Sequence, residues 1–284
     1  MHIRGLSGLT CTIFILAVAP PLNAHQASLP FVLHRGFTLV VRGSIGGIKG
    51  LNFIIDTGAV PSVVDSRLSR RLGLEGQPDQ VTVFSRTVAA QRVVLPEVVV
   101  GPIHAARVTA LSQDLSFIEG RLGIRIDALI GLDVLGQKNF SIDYASSCLR
   151  FDPAADSGEV WSPMAVTDSV AVVEIDLKGT PLRLMVDTGT KHLILFESRV
   201  QRLYASERIE SVKVSSNIGG AVELKEVAPP LALLGGTPRA VESVFLLQTP
   251  ADLSLTIDGL LGLAALKPQR VDFNFERQAI GWKW

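Results

Sequence analysis

The chain has 284 residues, and its 27 Lys plus Arg balance 27 Asp plus Glu, giving a formal charge of zero. That length allows one large domain or two modest ones, and the neutral balance leaves no basic field to attract nucleic acid, so no nucleic-acid partner is expected. An apolar share of 47% fits an ordinary globular chain and excludes a disordered or many-span membrane protein.

Residues 1–24 form a separate segment. His2 and Arg4 precede an apolar run from Leu6 to Ala19, which ends in Pro20, Pro21 and the small Ala24. A charged start, a short apolar centre and a small residue at a cleavage point describe a secretory signal peptide. The run falls short of the roughly 20 residues needed to span a bilayer. Export to the periplasm or beyond is therefore expected, with no stable membrane insertion once the signal is removed; an uncleaved membrane anchor is the alternative. Of the two cysteines only Cys148 lies beyond this segment, so no internal disulfide is expected. His34, His104 and His192 are scattered without ligand spacing. Neither a metal nor a cofactor is expected.

Further along, the segments are short, rich in Val, Ile, Leu and Phe, and punctuated by Gly and Pro. TLVV, NFIID, VTVF and RVVLPEVVV come first, followed in the second half by VAVVEI, RLMVD, VKV and VFLL. They read as strands, and GSIGGIKG (43–50) as the turn of a hairpin. One short helix is expected in each half: SRLSRRLG, with Asp65 placed to cap it and Gly73 to end it, and ESRVQRLY. Between the halves, DPAADSGEVWSPMAVTDS (152–169) has the composition of a surface linker.

The two halves repeat. FIIDTGAV (53–60) and LMVDTGTK (184–191) place Asp56 and Asp187 131 residues apart. The same spacing separates Gly131 of ALIGLDVL from Gly262 of GLLGLAAL, and carries Tyr144, Leu149 and Phe151 onto Phe275, Ile280 and Trp282. TVFSRTVAAQRVVL falls opposite VSSNIGGAVELKEV, each reading as strand, turn, strand. This is a duplicated domain, with lobes at 25–153 and 154–284. An isolated Asp before Gly usually caps a turn. Two of them, each after an apolar strand and each followed at one distance by apolar-Gly, point instead to carboxylates that meet.

FIIDTGAVPSVVD with ALIGLDVLG resembles the active-site strand and the later glycine loop of aspartic proteases, the pepsin and retroviral-protease superfamily. LMVDTGTKHLILF with DGLLGLAAL resembles the second copy, and the closest likeness is to bacterial retropepsin-like aspartyl proteases with two fused lobes. The resemblance implies an all-β, bilobal acid-protease fold, two pseudo-symmetric β lobes with a cleft between them. It implies Asp56 and Asp187 as catalytic residues of an aspartic endopeptidase acting as a monomer on an extended peptide or protein substrate. Thr57, Gly58, Thr188 and Gly189 would support the active loops, the threonines by locking the loops together. Candidate substrate-covering hairpins are 84–90 and 215–221, with Phe84, Gly219 and Gly220 as binding residues. Both tyrosines, Tyr144 and Tyr204, lie outside these hairpins, a departure from the pepsin type. Lys191 and His192 are a second departure. A cation facing the pair would favour ionised carboxylate and lower the working pH; a lysine facing solvent, its usual fate, would not. A relative with the same fold that binds peptides without cutting them is the alternative function.

Overall fold

The computed structural model describes residues 27–83, 86–152, 160–167, 169–217, 219–249 and 256–284. The expected signal at 1–24, the hairpin residue Phe84 and residues 153–159 of the expected linker at 152–169 lie outside the described residues. The linker reading is corrected at 160–167, which form a strand, Val160–Thr167, paired with two partner strands.

Each repeat is built on one pattern. In the first, Thr38–Ile45 turns at Gly46-Gly47 into Ile48–Ile55, the strand that delivers Asp56. This strand runs parallel to Ala128–Ile130, which pairs antiparallel with Val63–Asp65, itself parallel to Ile103–Gln113. In the second, Val170–Leu177 turns into Thr180–Val186, which runs parallel to Gly259–Leu261. That strand pairs antiparallel with Leu193–Phe196, which lies parallel to Val244–Leu247. The apolar-Gly segment of each half is thus threaded between the strand entering the Asp-Thr-Gly loop and the strand leaving it. Continuous apolar sequence suits it, because such strands are covered on both faces.

The repeats join through a six-stranded antiparallel sheet with three strands from each. Ser28–His34, Cys148–Phe151 and Phe140–Asp143 come from the first repeat; Arg270–Asn274, Ala279–Lys283 and Val160–Thr167 come from the second. At its centre Ser141 pairs with Asp272, Phe140 with Phe273 and Ile142 with Val271. Positions 141 and 272 correspond in the duplication, so the pseudo-two-fold axis passes between them. Phe140 and Phe273 stack with centroids 4.6 Å apart, and Trp282 beside them is fully buried.

Both expected helices form, but the expectation of one per half is corrected in the first repeat, which adds Ser116–Leu122 and the short Leu132–Leu135. Ser66–Arg71 is capped by Asp65, whose Oδ1 accepts the Arg67 amide at 3.0 Å, and Gly73 follows with the left-handed φ of 63° that ends it. Glu197–Tyr204 lacks a side-chain cap and kinks at Val200. The spacing of the repeats is not uniform. Ile45 pairs with Ile48 as Leu177 does with Thr180, 132 residues on, whereas Asn52 corresponds to Arg183, 131 on. A bulge at Gly50, with φ of 73°, takes up the extra residue.

The hairpins require a correction to the alignment read from sequence. Gln77–Val83 pairs with Arg86–Val100, and Ser211–Asn217 with Gly220–Val227. Arg86 therefore corresponds to Gly220, two residues beyond its place when TVFSRTVAAQRVVL is set against VSSNIGGAVELKEV. The second repeat carries three more residues between helix and hairpin: Ser66 matches Glu197, but Gln77 matches Ser211. Among the described residues, no helix is long and apolar enough to cross a membrane.

Candidate active site

Asp56 and Asp187 sit where their strands end and a tight loop begins. The Asp56 amide donates to the Ile130 carbonyl at 2.9 Å, and the Asp187 amide to the Leu261 carbonyl at 3.0 Å. Each carboxylate folds back onto its own loop: Gly58 N–H reaches Asp56 Oδ1 at 3.1 Å, and Gly189 N–H reaches Asp187 Oδ1 at 2.7 Å. Each also faces the other loop's glycine. A Cβ on Gly58 would stand 2.6 Å from Asp187 Cγ, and one on Gly189 would stand 2.7 Å from Asp56 Oδ2. Glycine is required at both positions because the opposite carboxylate occupies the space.

The loops are locked by a reciprocal set of bonds. The Thr57 amide donates to Thr188 Oγ1 at 3.0 Å, and the Thr188 amide to Thr57 Oγ1 at 3.1 Å. The Thr57 hydroxyl donates across to the Val186 carbonyl at 2.7 Å, and the Thr188 hydroxyl to the Ile55 carbonyl at 2.7 Å. Both threonines are buried. Each hydroxyl thus accepts one bond and donates one, and the four bonds tie together the strands that carry the acids. Behind the loops, a Cβ on Gly131 would come 2.0 Å from the Ala59 carbonyl oxygen, and one on Gly262 would come 2.5 Å from the Thr190 carbonyl oxygen.

The two carboxylates act on each other's titration. Burial raises the pKa of Asp56, against the pull of the Gly58 amide, of Asp187 and of the Ala59 amide. Burial again, then the charge of Asp56, holds Asp187 well above the ordinary value. Two carboxyls so placed cannot both ionise cheaply, and they retain a proton to higher pH than isolated acids do. The titration belongs to the pair. Both acids move up, opposite to the shift that a cation facing the pair would give. His192 turns its Nδ1 to Ser243 Oγ at 2.6 Å and its ring edge to Phe245, with centroids 4.6 Å apart.

Of the residues singled out from sequence, Asp56, Asp187, Thr57, Thr188, Gly58 and Gly189 come together. Gly219 and Gly220 lie at the turn of the second hairpin, Gly220 with a left-handed φ of 100°. Tyr144 packs edge-on to Phe31 and Tyr204 lies on the second helix, both outside the hairpins.

Two acids went unnoticed in the sequence. Asp127 Oδ2 accepts the Asn52 amide at 2.9 Å while its own amide donates to the Asn52 carbonyl at 2.9 Å. Asp258 does the same with Arg183, at 2.8 and 2.7 Å. Each clamps the strand four residues before the aspartate of its Asp-Thr-Gly loop. The available signal was their common spacing of 131, one residue ahead of each apolar-Gly segment.

Residues 41–134 and 173–265 each match the family model described as aspartyl protease, and together the two matches cover more than half of the chain. No curated protein matches the chain.

Proposed function

Because the chain belongs to the aspartyl protease family, with the family unit present twice, we propose that it is an aspartic endopeptidase that hydrolyses peptide bonds with a water held between Asp56 and Asp187. The observation that carries this reading is the mutual seating of each carboxylate on the opposite loop's glycine, which leaves the two acids close enough to share one proton. One acid takes a proton from the water as it attacks the peptide carbonyl, and the other gives its proton to the carbonyl oxygen. The acid that received the water's proton then passes it to the amine as the C–N bond breaks, and a hydroxyl of the intermediate returns its proton to the other acid, restoring the pair. The locked threonines and the glycine amides hold both oxygens in place before substrate arrives, so little reorganisation is left for the reaction step.

Substrate would bind extended, its backbone adding to strands around the cleft and beneath the hairpins that end near residues 84 and 219. Two fused lobes complete the pair within one chain, which supports a monomeric enzyme. The charged and apolar start of the sequence supports export before the protein acts.

Purified residues 25–284, incubated with a peptide library from acid to neutral pH, test the reading. Wild-type protein is expected to produce fragments. Asp56→Asn and Asp187→Asn should each lower the rate by about a thousandfold or more, because each removes a proton-transfer group. Peptide retained without cleavage by wild type and both variants would make the chain a binding protein, and full activity in either variant would refute the shared pair.

A further inference from the structure

The first active loop leaves the aspartate through Ser62, which is buried. Its hydroxyl donates to Asp133 Oδ1 at 2.6 Å, and its amide donates to Asp133 Oδ2 at 2.9 Å. Its oxygen also accepts the Gly131 amide at 2.9 Å, and its carbonyl accepts the Leu111 amide at 2.9 Å. Gly131 is the residue on which the Ala59 carbonyl rests. A single carboxylate, acting through one hydroxyl, thus ties the outgoing arm of the loop to the segment beneath it. Bonds of this kind to a charged acceptor are short and strong.

The second repeat cannot do this. Its corresponding residues are Leu193 and Ala264. There the Gly262 amide donates to the His192 backbone carbonyl at 3.0 Å. Side chains anchor the loop in one lobe and backbone anchors it in the other.

We propose that Ser62 and Asp133 are positioning residues for Asp56, holding residues 56–62 in the turn that presents the Gly58 amide to its carboxylate and the Ala59 amide to its backbone carbonyl, and that Asp187 has no such support. The proposal rests on the reading of Asp56 and Asp187 as the reacting pair. Those amides favour the ionised form of Asp56. A loosened turn weakens them, the pair then holds its proton to higher pH, and the acid limb of kcat/KM moves up. A displacement of about 1 Å at such a centre can cost about 100-fold in rate.

The test uses the full chain as wild type, Ser62→Ala and Asp133→Asn, with a library peptide that wild type cleaves. Turnover is measured across pH, alongside thermal melting and carbon-13 titration of the Asp56 carboxyl. Ser62→Ala should lower kcat by about 10- to 100-fold with KM little changed, and should move the acid limb and the Asp56 titration to higher pH. Asp133→Asn keeps one acceptor oxygen and should fall between it and wild type. A folded Ser62→Ala with wild-type kcat, or with reduced kcat and an unmoved titration, overturns the proposal. Loss of folded protein in both variants also overturns it, making the pair an element of the fold. If wild type cleaves nothing, the enzymatic reading fails by itself, and the Asp56 titration still decides the positioning role.

Discussion

The two lobes agree bond for bond in their Asp-Thr-Gly loops and diverge from the residues behind those loops outward. Thr57 and Thr188, Gly58 and Gly189, and Asp127 and Asp258 each make the same contacts in the same directions. Farther out, Arg86–Val100 and Ile103–Gln113 pair as two long strands in the first lobe. In the second lobe the same region breaks into four short strands, Gly220–Val227, Leu231–Leu234, Thr237–Ala240 and Val244–Leu247. Pro229 and Pro230 sit at the first break, where neither can donate to a ladder. The charge pairs on the hairpins are reversed as well, Arg92 with Asp79 in one and Lys213 with Glu226 in the other. Geometry that fixes a carboxylate tolerates no drift, because a shift of a few tenths of an ångström breaks contacts on both loops. An outer hairpin can exchange one charge pair for another at a cost below about 1 kcal/mol.

The sharpest way to break the symmetry is to fill one glycine. Gly189→Ala would set a methyl 2.7 Å from Asp56 Oδ2, and Gly58→Ala would set one 2.6 Å from Asp187 Cγ. Each obstacle is a carboxylate tied to an amide of its own loop, so the methyl fits only if that carboxylate moves. Each variant should lose about 100-fold in kcat, measured on the peptide used for wild type. If one variant keeps full activity while the other is inactive, only one lobe sets the distance between the acids.

The centre was legible in the sequence and the edges were not, for a physical reason. Asp-Thr-Gly and the apolar-Gly segment are local words, and two copies at one spacing declare a shared site. The hairpin register is a different kind of information. Side chains alternate along a strand with period two, so sliding Thr82 or Val83 by two residues leaves every apolar side chain on its original face. The alternation in TVFSRTVAAQRVVL therefore fits its partner equally well at the wrong register. Nor does any local pattern reveal that Phe140–Asp143 pairs with Arg270–Asn274 across the axis, since that ladder joins residues about half a chain apart. The support under Asp56 from Ser62 and Asp133 was hidden because the second repeat has no counterpart to draw attention to it.

The threonine lock gives a smaller and more symmetric test. Thr57→Val leaves the Val186 carbonyl and the Thr188 amide unpaired in a buried site, and Thr188→Val does so for Ile55 and Thr57. Leaving a buried group unpaired costs about 1–3 kcal/mol, so each variant, with two such groups, should lose roughly 2–6 kcal/mol of stability in denaturant melts. The two losses should be equal within error. The double variant should lose less than their sum, because residues in one network couple. Unequal single losses would mean that the lobes do not lean on each other evenly.

The gentlest perturbation separates the chemistry of the pair from its structural cost. Asp187 has a folded pKa well above its ordinary 3.8, from burial and the neighbouring charge of Asp56. A raised folded pKa means that the protonated acid suits the folded state, so the stability it contributes is complete below about pH 4 and is lost as pH rises through the folded value. At neutral pH the folded protein must carry an acid it would rather keep protonated. Asp187→Asn removes that burden while leaving a side chain of the same shape. The variant should therefore melt above wild type at pH 7, by about 2–4 °C for each kcal/mol relieved, and the difference should shrink as pH falls toward 4. A variant that is inactive yet more stable at neutral pH identifies the pair as a site where folding energy is given up for reactivity. A variant melting at or below wild type at every pH would show that the acid is not strained, and with that the reason for the proton to be shared would be lost.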